Sequence, residues 1–259
     1  MHTITKLYTA SFDFPIGNKK PEKTYMLATI PRSGSTYFAI RLWQSGIFGA
    51  PMEYLNFPIM GNLLNRLGFE SNASHELNQI EVLRYWGMVQ ERRTSKNGVF
   101  GYKMFMNNFL ALAKFYPDLL TKISPDFVIY LVRESALDQA ISYSRAIRSK
   151  VWFAETKKTK HIEYSASHIR YCLKSIEEQR VFWEDAFKLT GISPIRVSYE
   201  SFLRSEHSTL STIAKTVGIS YRPENKIAIP EIEKQDDEFN SVWKARFLEE
   251  SGRESRASK

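Results

Sequence analysis

The chain has 259 residues, 43% of them hydrophobic and 14% aromatic, enough to bury one substantial core and too apolar for a disordered polymer. Its one cysteine, Cys172, rules out an intrachain disulfide and a zinc site built from several thiolates. Thirty-six Lys and Arg against 28 Asp and Glu leave a formal net charge of +8, which suits either an anionic partner or an ordinary solvated basic surface.

Much of that excess lies in Arg145, Arg148, Lys150, Lys157, Lys158 and Lys160, while elsewhere bases and acids are interleaved. No nucleic-acid-binding module is recognisable, so nucleic acid is not among the expected partners. Near the N-terminus there is no signal-peptide pattern, and no apolar run reaches the roughly 18 residues of a transmembrane span. A soluble, cytoplasmic protein is the expectation.

Residues 25–30 form a short apolar run stopped by Pro31, and Phe38, Ile40, Leu42 and Trp43 then follow with helical spacing up to Gly46, which gives strand, loop and helix. A second helix is expected from an N-cap at Ser74 through Leu77, Ile80, Val82, Leu83, Trp86 and Val89. Residues 99–105 read as a strand, followed by a helix ending before Pro117. Asp126 to Val132 is an unbroken apolar strand of the kind buried on both faces of a parallel sheet. Leu137, Ala140, Ile141, Ser144 and Ile147 mark an amphipathic helix over 135–149. A long helix runs from His161 to about Thr190 and closes at Gly191. A short strand at 195–198 and a helix ending at Gly218 complete the pattern, leaving a loose tail from about residue 249.

Strands alternating with helices of these lengths indicate an α/β fold with an open, mostly parallel central sheet flanked by helices. No linker divides the chain, so the expected organisation is an extension over 1–23, one domain over 24–248 and a flexible tail over 249–259.

In such folds, ligands bind at the carboxyl ends of the strands, where helix N-termini offer unpaired N–H groups. Pro31-Arg32-Ser33-Gly34-Ser35-Thr36 occupies such an end. Gly34 permits a close turn, Ser33, Ser35 and Thr36 offer hydroxyl donors, and Arg32 adds a cationic fork. The same residues would also serve as a plain helix cap. They are not a Walker A loop, because the glycine-rich run ahead of a Lys-Ser or Lys-Thr pair is missing. At the end of strand 126–132, Arg133 emerges, and Ser142 follows nine residues later. Together they suit a second anion grip, although Arg133 could instead pair with Glu134 or Asp138.

These pieces in this order resemble the sulfotransferases that use 3'-phosphoadenosine 5'-phosphosulfate (PAPS), and within them the trehalose 2-sulfotransferase-like family. The likeness spans roughly residues 24–248. It is carried by Pro31 to Thr36, by Ala50-Pro51-Met52-Glu53-Tyr54-Leu55, by Phe100-Gly101-Tyr102-Lys103 and by Gln139 to Ala146 running on to Trp152. Val197-Ser198-Tyr199-Glu200 and Lys234-Gln235-Asp236 with Trp243 and Phe247 complete it.

The resemblance implies a P-loop-like sulfotransferase fold and a PAPS site made of Arg32, Ser33, Gly34, Ser35, Thr36, Arg133, Ser142 and Lys234. It also implies Glu53 as catalytic base, Arg32 as stabiliser of the departing bisphosphate, and no metal. A hydroxylated small molecule, glycan or glycolipid is the implied acceptor, and dimers occur in that family. Lys103 either approaches the sulfate or is structural. Two other classes compete. A P-loop-type kinase would need Mg²⁺ and an acidic ligand for it, and the nearest downstream aspartate is Asp138. A noncatalytic nucleic-acid binder would need a binding module. The five histidines, His2, His75, His161, His168 and His207, have no metal-ligand spacing.

Overall fold

The computed structural model describes residues 6–15, 20–70, 77–152, 162–221, 228–229 and 238–257. Strands β1 (Lys23–Thr29), β2 (Val99–Phe105), β3 (Phe127–Val132) and β4 (Ile195–Ser198) form a sheet in the order β2-β1-β3-β4. Every pairing is parallel. The fold is therefore the α/β class with a parallel central sheet and flanking helices that the alternating pattern implies.

Parallel strands need crossovers, and these carry the helices. Helix α1 (Ser35–Gln44) follows β1, and α2 (Gly61–Arg66) and α3 (Gln79–Arg93) complete the connection to β2. Between β2 and β3 lie α4 (Met106–Phe115) and α5 (Pro117–Lys122), and between β3 and β4 lie α6 (Ala136–Ser149) and α7 (Ala166–Thr190). Beyond β4 come α8 (Tyr199–Arg204), α9 (Glu206–Thr216) and α10 (Glu238–Ala257).

β1 is buried almost throughout because it has a strand on each side and helices on both faces. Tyr25, Leu27 and Ala28 are fully enclosed. Tyr25 stacks on Phe127 of β3 with ring centroids 5.1 Å apart, and its hydroxyl donates to the Phe48 carbonyl at 3.0 Å. On β2, Gly101 lies beneath that ring: a Cβ there would come within 2.3 Å of it. Trp86 of α3 packs edge-on against both Phe100 and Tyr102. The outer side of β2 is covered by residues around Met52, which bridges to Tyr102.

Two helix starts differ from the spacing-based reading. Helix α3 begins at Asn78, whose side chain accepts from the N–H groups of Ile80 and Glu81 at 3.0 Å each, while Glu81 accepts from the Asn78 N–H at 2.9 Å. This reciprocal box satisfies three backbone donors, whereas Ser74 lies outside the described residues. Helix α7 starts at Ala166, with the Ser165 hydroxyl accepting from the His168 N–H at 3.3 Å; His161 lies outside the described residues.

The two ends of the chain also carry structure. Leu7 and Tyr8 are buried in the core. Helix α10 runs to Ala257, through the segment expected as a loose tail, with the i,i+4 pairs Arg246–Glu250 and Arg253–Glu249 along it. Trp243 and Phe247 anchor it, each 7% exposed. Among the described residues no helix is long and apolar enough to cross a membrane.

The capping box yields a direct test. Asn78→Ala should lower stability by about 1 kcal/mol, read from the urea unfolding midpoint; an unchanged midpoint would contradict the box.

Candidate active site

The carboxyl end of β1 is anchored by Thr29, which is fully buried. Its hydroxyl donates to the Leu131 carbonyl of β3 at 3.2 Å and lies 2.7 Å from the Ser33 hydroxyl. A hydroxyl has one proton, so Ser33 donates to Thr29. Ser33, expected to offer its hydroxyl as a donor, is fully enclosed and uses that hydroxyl to brace the loop from inside. Sequence spacing could not show this, because Thr29 four residues earlier takes up the proton.

Arg32 and Gly34 both have left-handed backbones, with φ of 65° and 82°. For Arg32 such a conformation costs about 1–3 kcal/mol. Its side chain is fixed at the same time: Nε donates to the Ser142 hydroxyl at 2.9 Å and one terminal nitrogen to the Trp152 carbonyl at 2.6 Å. Gly34 is the N-cap of α1. A Cβ there would sit 2.3 Å from the Tyr199 ring, so that ring seals the turn only over glycine. Ser35 and Thr36 open the helix, whose first-turn N–H groups have no partner within it.

Arg133 leaves the end of β3 beside this loop. It donates to the Arg32 carbonyl at 3.4 Å, lies 3.6 Å from the Glu200 carboxylate and packs over the Tyr199 ring at 6.0 Å. Its buried Nε makes no hydrogen bond. Ser142 is thus held by Arg32 rather than by Arg133, although both arginines and the serine border the same cavity. Burial, followed by the neighbouring charges of Arg133 and Arg145, pushes the Arg32 pKa down to about 10; the group is still cationic at neutral pH.

Glu53 reaches the site from the covering segment next to β2. The Lys103 N–H donates to the Met52 carbonyl at 2.9 Å, which aligns Glu53 with the lysine. One carboxylate oxygen lies 2.8 Å from the Lys103 ammonium, and the other accepts from the Asn56 amide at 2.9 Å. Lys103 is 2% exposed and also donates to the Thr36 hydroxyl at 3.2 Å. It therefore links the carboxylate to the first turn of α1.

All these groups meet in a cavity of about 760 Å³ bordered by Arg32, Gly34, Ser35, Thr36, Glu53, Arg133 and Ser142, within the range of small-molecule sites. Lys234 lies outside the described residues. Asp138, the aspartate on which a metal-dependent reading would draw, is paired with Lys244 at 3.0 Å. That pairing and the Ser135 hydroxyl hold its pKa below the usual value against an opposing burial effect, the largest single influence. Among the described residues, no three His, Cys, Asp or Glu side chains cluster as metal ligands. Sequence spacing did not single out Tyr199 over Gly34, Glu200 beside Arg133 or the Lys103 bridge, since each pairs residues from distant crossovers.

Residues 24–250 match the family described as Stf0 sulphotransferase. The chain is 24% identical to the trehalose 2-sulfotransferases of Mycolicibacterium smegmatis and Mycobacterium tuberculosis, each match covering 89% of this chain and 96% of the relative. The sulfotransferase domain of the Synechococcus PCC 7002 olefin synthase aligns with a TM-score of 0.43 and 16% identity, covering 82% of this chain and 79% of that one.

Gly34→Ala should drive a methyl group into the Tyr199 ring and impose a strained φ. The expected result is a stability loss of about 1–3 kcal/mol, read by urea denaturation; an unchanged midpoint would contradict the tight turn.

Proposed function

The chain belongs to the Stf0 sulphotransferase family, and from that premise we propose that it transfers a sulfuryl group from PAPS to a hydroxyl of a carbohydrate or another hydroxylated acceptor. One observation carries this reading: the β1 loop, Arg133 at the end of β3 and Glu53 beside β2 all open onto the same cavity. A donor with phosphates at both ends of its ribose needs two separate cationic grips, and β1 and β3, whose ends carry them in this reading, are direct neighbours.

The residues present fit such a donor. The first-turn N–H groups of α1 have no side-chain cap at Gly34, and Arg133 borders the same cavity as a second cation, its Nε 3.6 Å from Glu200. When bound, PAPS supplies a sulfuryl group whose bond to the 5'-phosphate oxygen breaks as the acceptor oxygen bonds to sulfur. Glu53 is the group in reach to take the proton from the acceptor hydroxyl. Arg32 and the first-turn N–H groups would stabilise the negative charge that grows on the departing bisphosphate. Lys103 holds Glu53 at 2.8 Å and so fixes the direction of its free lone pairs.

A carbohydrate acceptor is supported by the trehalose 2-sulfotransferase relatives. The cavity lining agrees, because it includes Asn56, Asn107 and Asn108, residues whose neutral amides can both donate to and accept from sugar hydroxyls.

Two substitutions separate the roles. Glu53→Gln should reduce turnover by about 10²–10⁴-fold while 3',5'-bisphosphoadenosine affinity, measured by calorimetry without Mg²⁺, stays within about twofold. Arg133→Ala should weaken that affinity about tenfold or more. Full turnover in the first variant would remove Glu53 as the base, and unchanged affinity in the second would misplace the second grip.

A further inference from the structure

Glu53 belongs to a segment with little regular structure of its own, yet a general base must be held firmly to act. The side chain is fixed by Lys103 and Asn56. The backbone is fixed by something unexpected: the Glu53 N–H donates to the Tyr8 hydroxyl oxygen at 3.2 Å. Tyr8 is 6% exposed and meets the Tyr54 ring edge-on at 6.1 Å. Burial, with a further contribution from Glu53, holds the Tyr8 pKa well above its usual value, so the group stays a neutral phenol able to accept.

Tyr8 is itself tied down by a buried cation. Arg93, 1% exposed, donates to the carbonyls of Leu7, Thr9 and Phe12 at 3.0, 3.3 and 3.3 Å. It also pairs with Asp13 at 3.1 Å and stacks over Trp43 at 5.3 Å. Arg66 grips the same Asp13 carboxylate at 2.6 and 3.1 Å, and the Phe14 N–H donates to the Arg92 carbonyl at 2.8 Å. The Arg93 carbonyl in turn accepts from the Ala50 N–H at 3.2 Å, at the start of the segment that carries Glu53. One buried arginine thus joins the N-terminal residues 7–14 and the 50–56 segment into a single unit.

We propose that Tyr8 is a positioning residue for Glu53, and that residues 7–14, locked by Arg93 and Asp13, form a strap that holds the base-bearing segment against the end of β2. The proposal rests on the reading of Glu53 as base for its catalytic consequence, though not for the hydrogen bond itself. Tyr8 touches no reacting group; it acts through the Glu53 backbone.

Tyr8→Phe keeps the ring and removes only the accepting oxygen, whereas Tyr8→Ala removes both. In Tyr8→Phe, hydrogen exchange of peptides spanning Glu53 should speed up about three- to tenfold, the equivalent of one lost hydrogen bond. Release of 3',5'-bisphosphoadenosine from PAPS with an acceptor sugar should fall similarly in kcat, with affinity for that bisphosphate unchanged. Asp13→Asn, which loosens the strap without touching Tyr8, should speed exchange at the same peptides and serves if Tyr8→Phe folds poorly. Wild-type exchange and kcat in Tyr8→Phe, with defects only in Tyr8→Ala, would reduce Tyr8 to a packing residue and overturn the proposal. A parallel loss of stability, bisphosphate affinity and kcat in Tyr8→Phe would do the same. Full turnover in Glu53→Gln would instead sink the base assignment while the exchange result still decided the strap.

Discussion

The site depends on how Thr29 ends β1. Its backbone is in register with Phe105 of β2 and Leu131 of β3, its hydroxyl is shared between Leu131 and Ser33, and its carbonyl accepts from the Trp183 indole of α7 at 3.1 Å. No polar atom of this buried residue is left to pull the chain elsewhere, which matters because an unpaired group at such a depth costs about 1–3 kcal/mol. With Thr29 fixed, the turn must leave the sheet at one point and in one direction. Arg32 then falls beside Ser142, Gly34 beneath Tyr199, and the N-terminus of α1 over the space between three strand ends.

How much of this was legible in the sequence follows from the range of each interaction. The parallel α/β class could be read because burial on both faces leaves unbroken apolar runs such as Phe127–Val132, and local periodicity records that directly. The cavity-facing positions of Arg32, Gly34, Ser35, Thr36, Glu53, Arg133 and Ser142 could be anticipated because a resemblance supplied the long-range pairing that spacing lacks. What could not be read lay in competition between groups distant in the chain. Ser33 was expected to offer a hydroxyl donor, and the buried acceptor that Thr29 gives that hydroxyl was not legible. Arg133 and Ser142 were expected to form one grip, and the hydrogen bond from Arg32 Nε to the Ser142 hydroxyl at 2.9 Å was not foreseen. The buried N-terminal residues were missed for a similar reason: the apolar residues Leu7, Tyr8, Phe12 and Phe14 show no helix or strand period, and their placement depends on Arg93, over 80 positions away.

The separation of charge across the cavity follows from the strand order. Arg32 and Arg133, the proposed cationic grips, follow the ends of β1 and β3, and the Glu53 carboxylate enters from beyond β2, on the far side of β1 from Arg133. Adjacent strands are about 4.8 Å apart, so the sheet offsets the Glu53 backbone from Arg133 by more than one strand. Unscreened, two negative groups at that range in a partly enclosed site would repel by several kcal/mol. Lys103 reduces this further, because its ammonium lies between the carboxylate and Thr36 at 2.8 and 3.2 Å. Being almost fully buried, it cannot turn to solvent and leave the carboxylate exposed to the anion. In the proposed reading, base and anion grip share one cavity with the end of β2 and the buried Lys103 between them, and the proposed strap through Tyr8 limits how far Glu53 could drift.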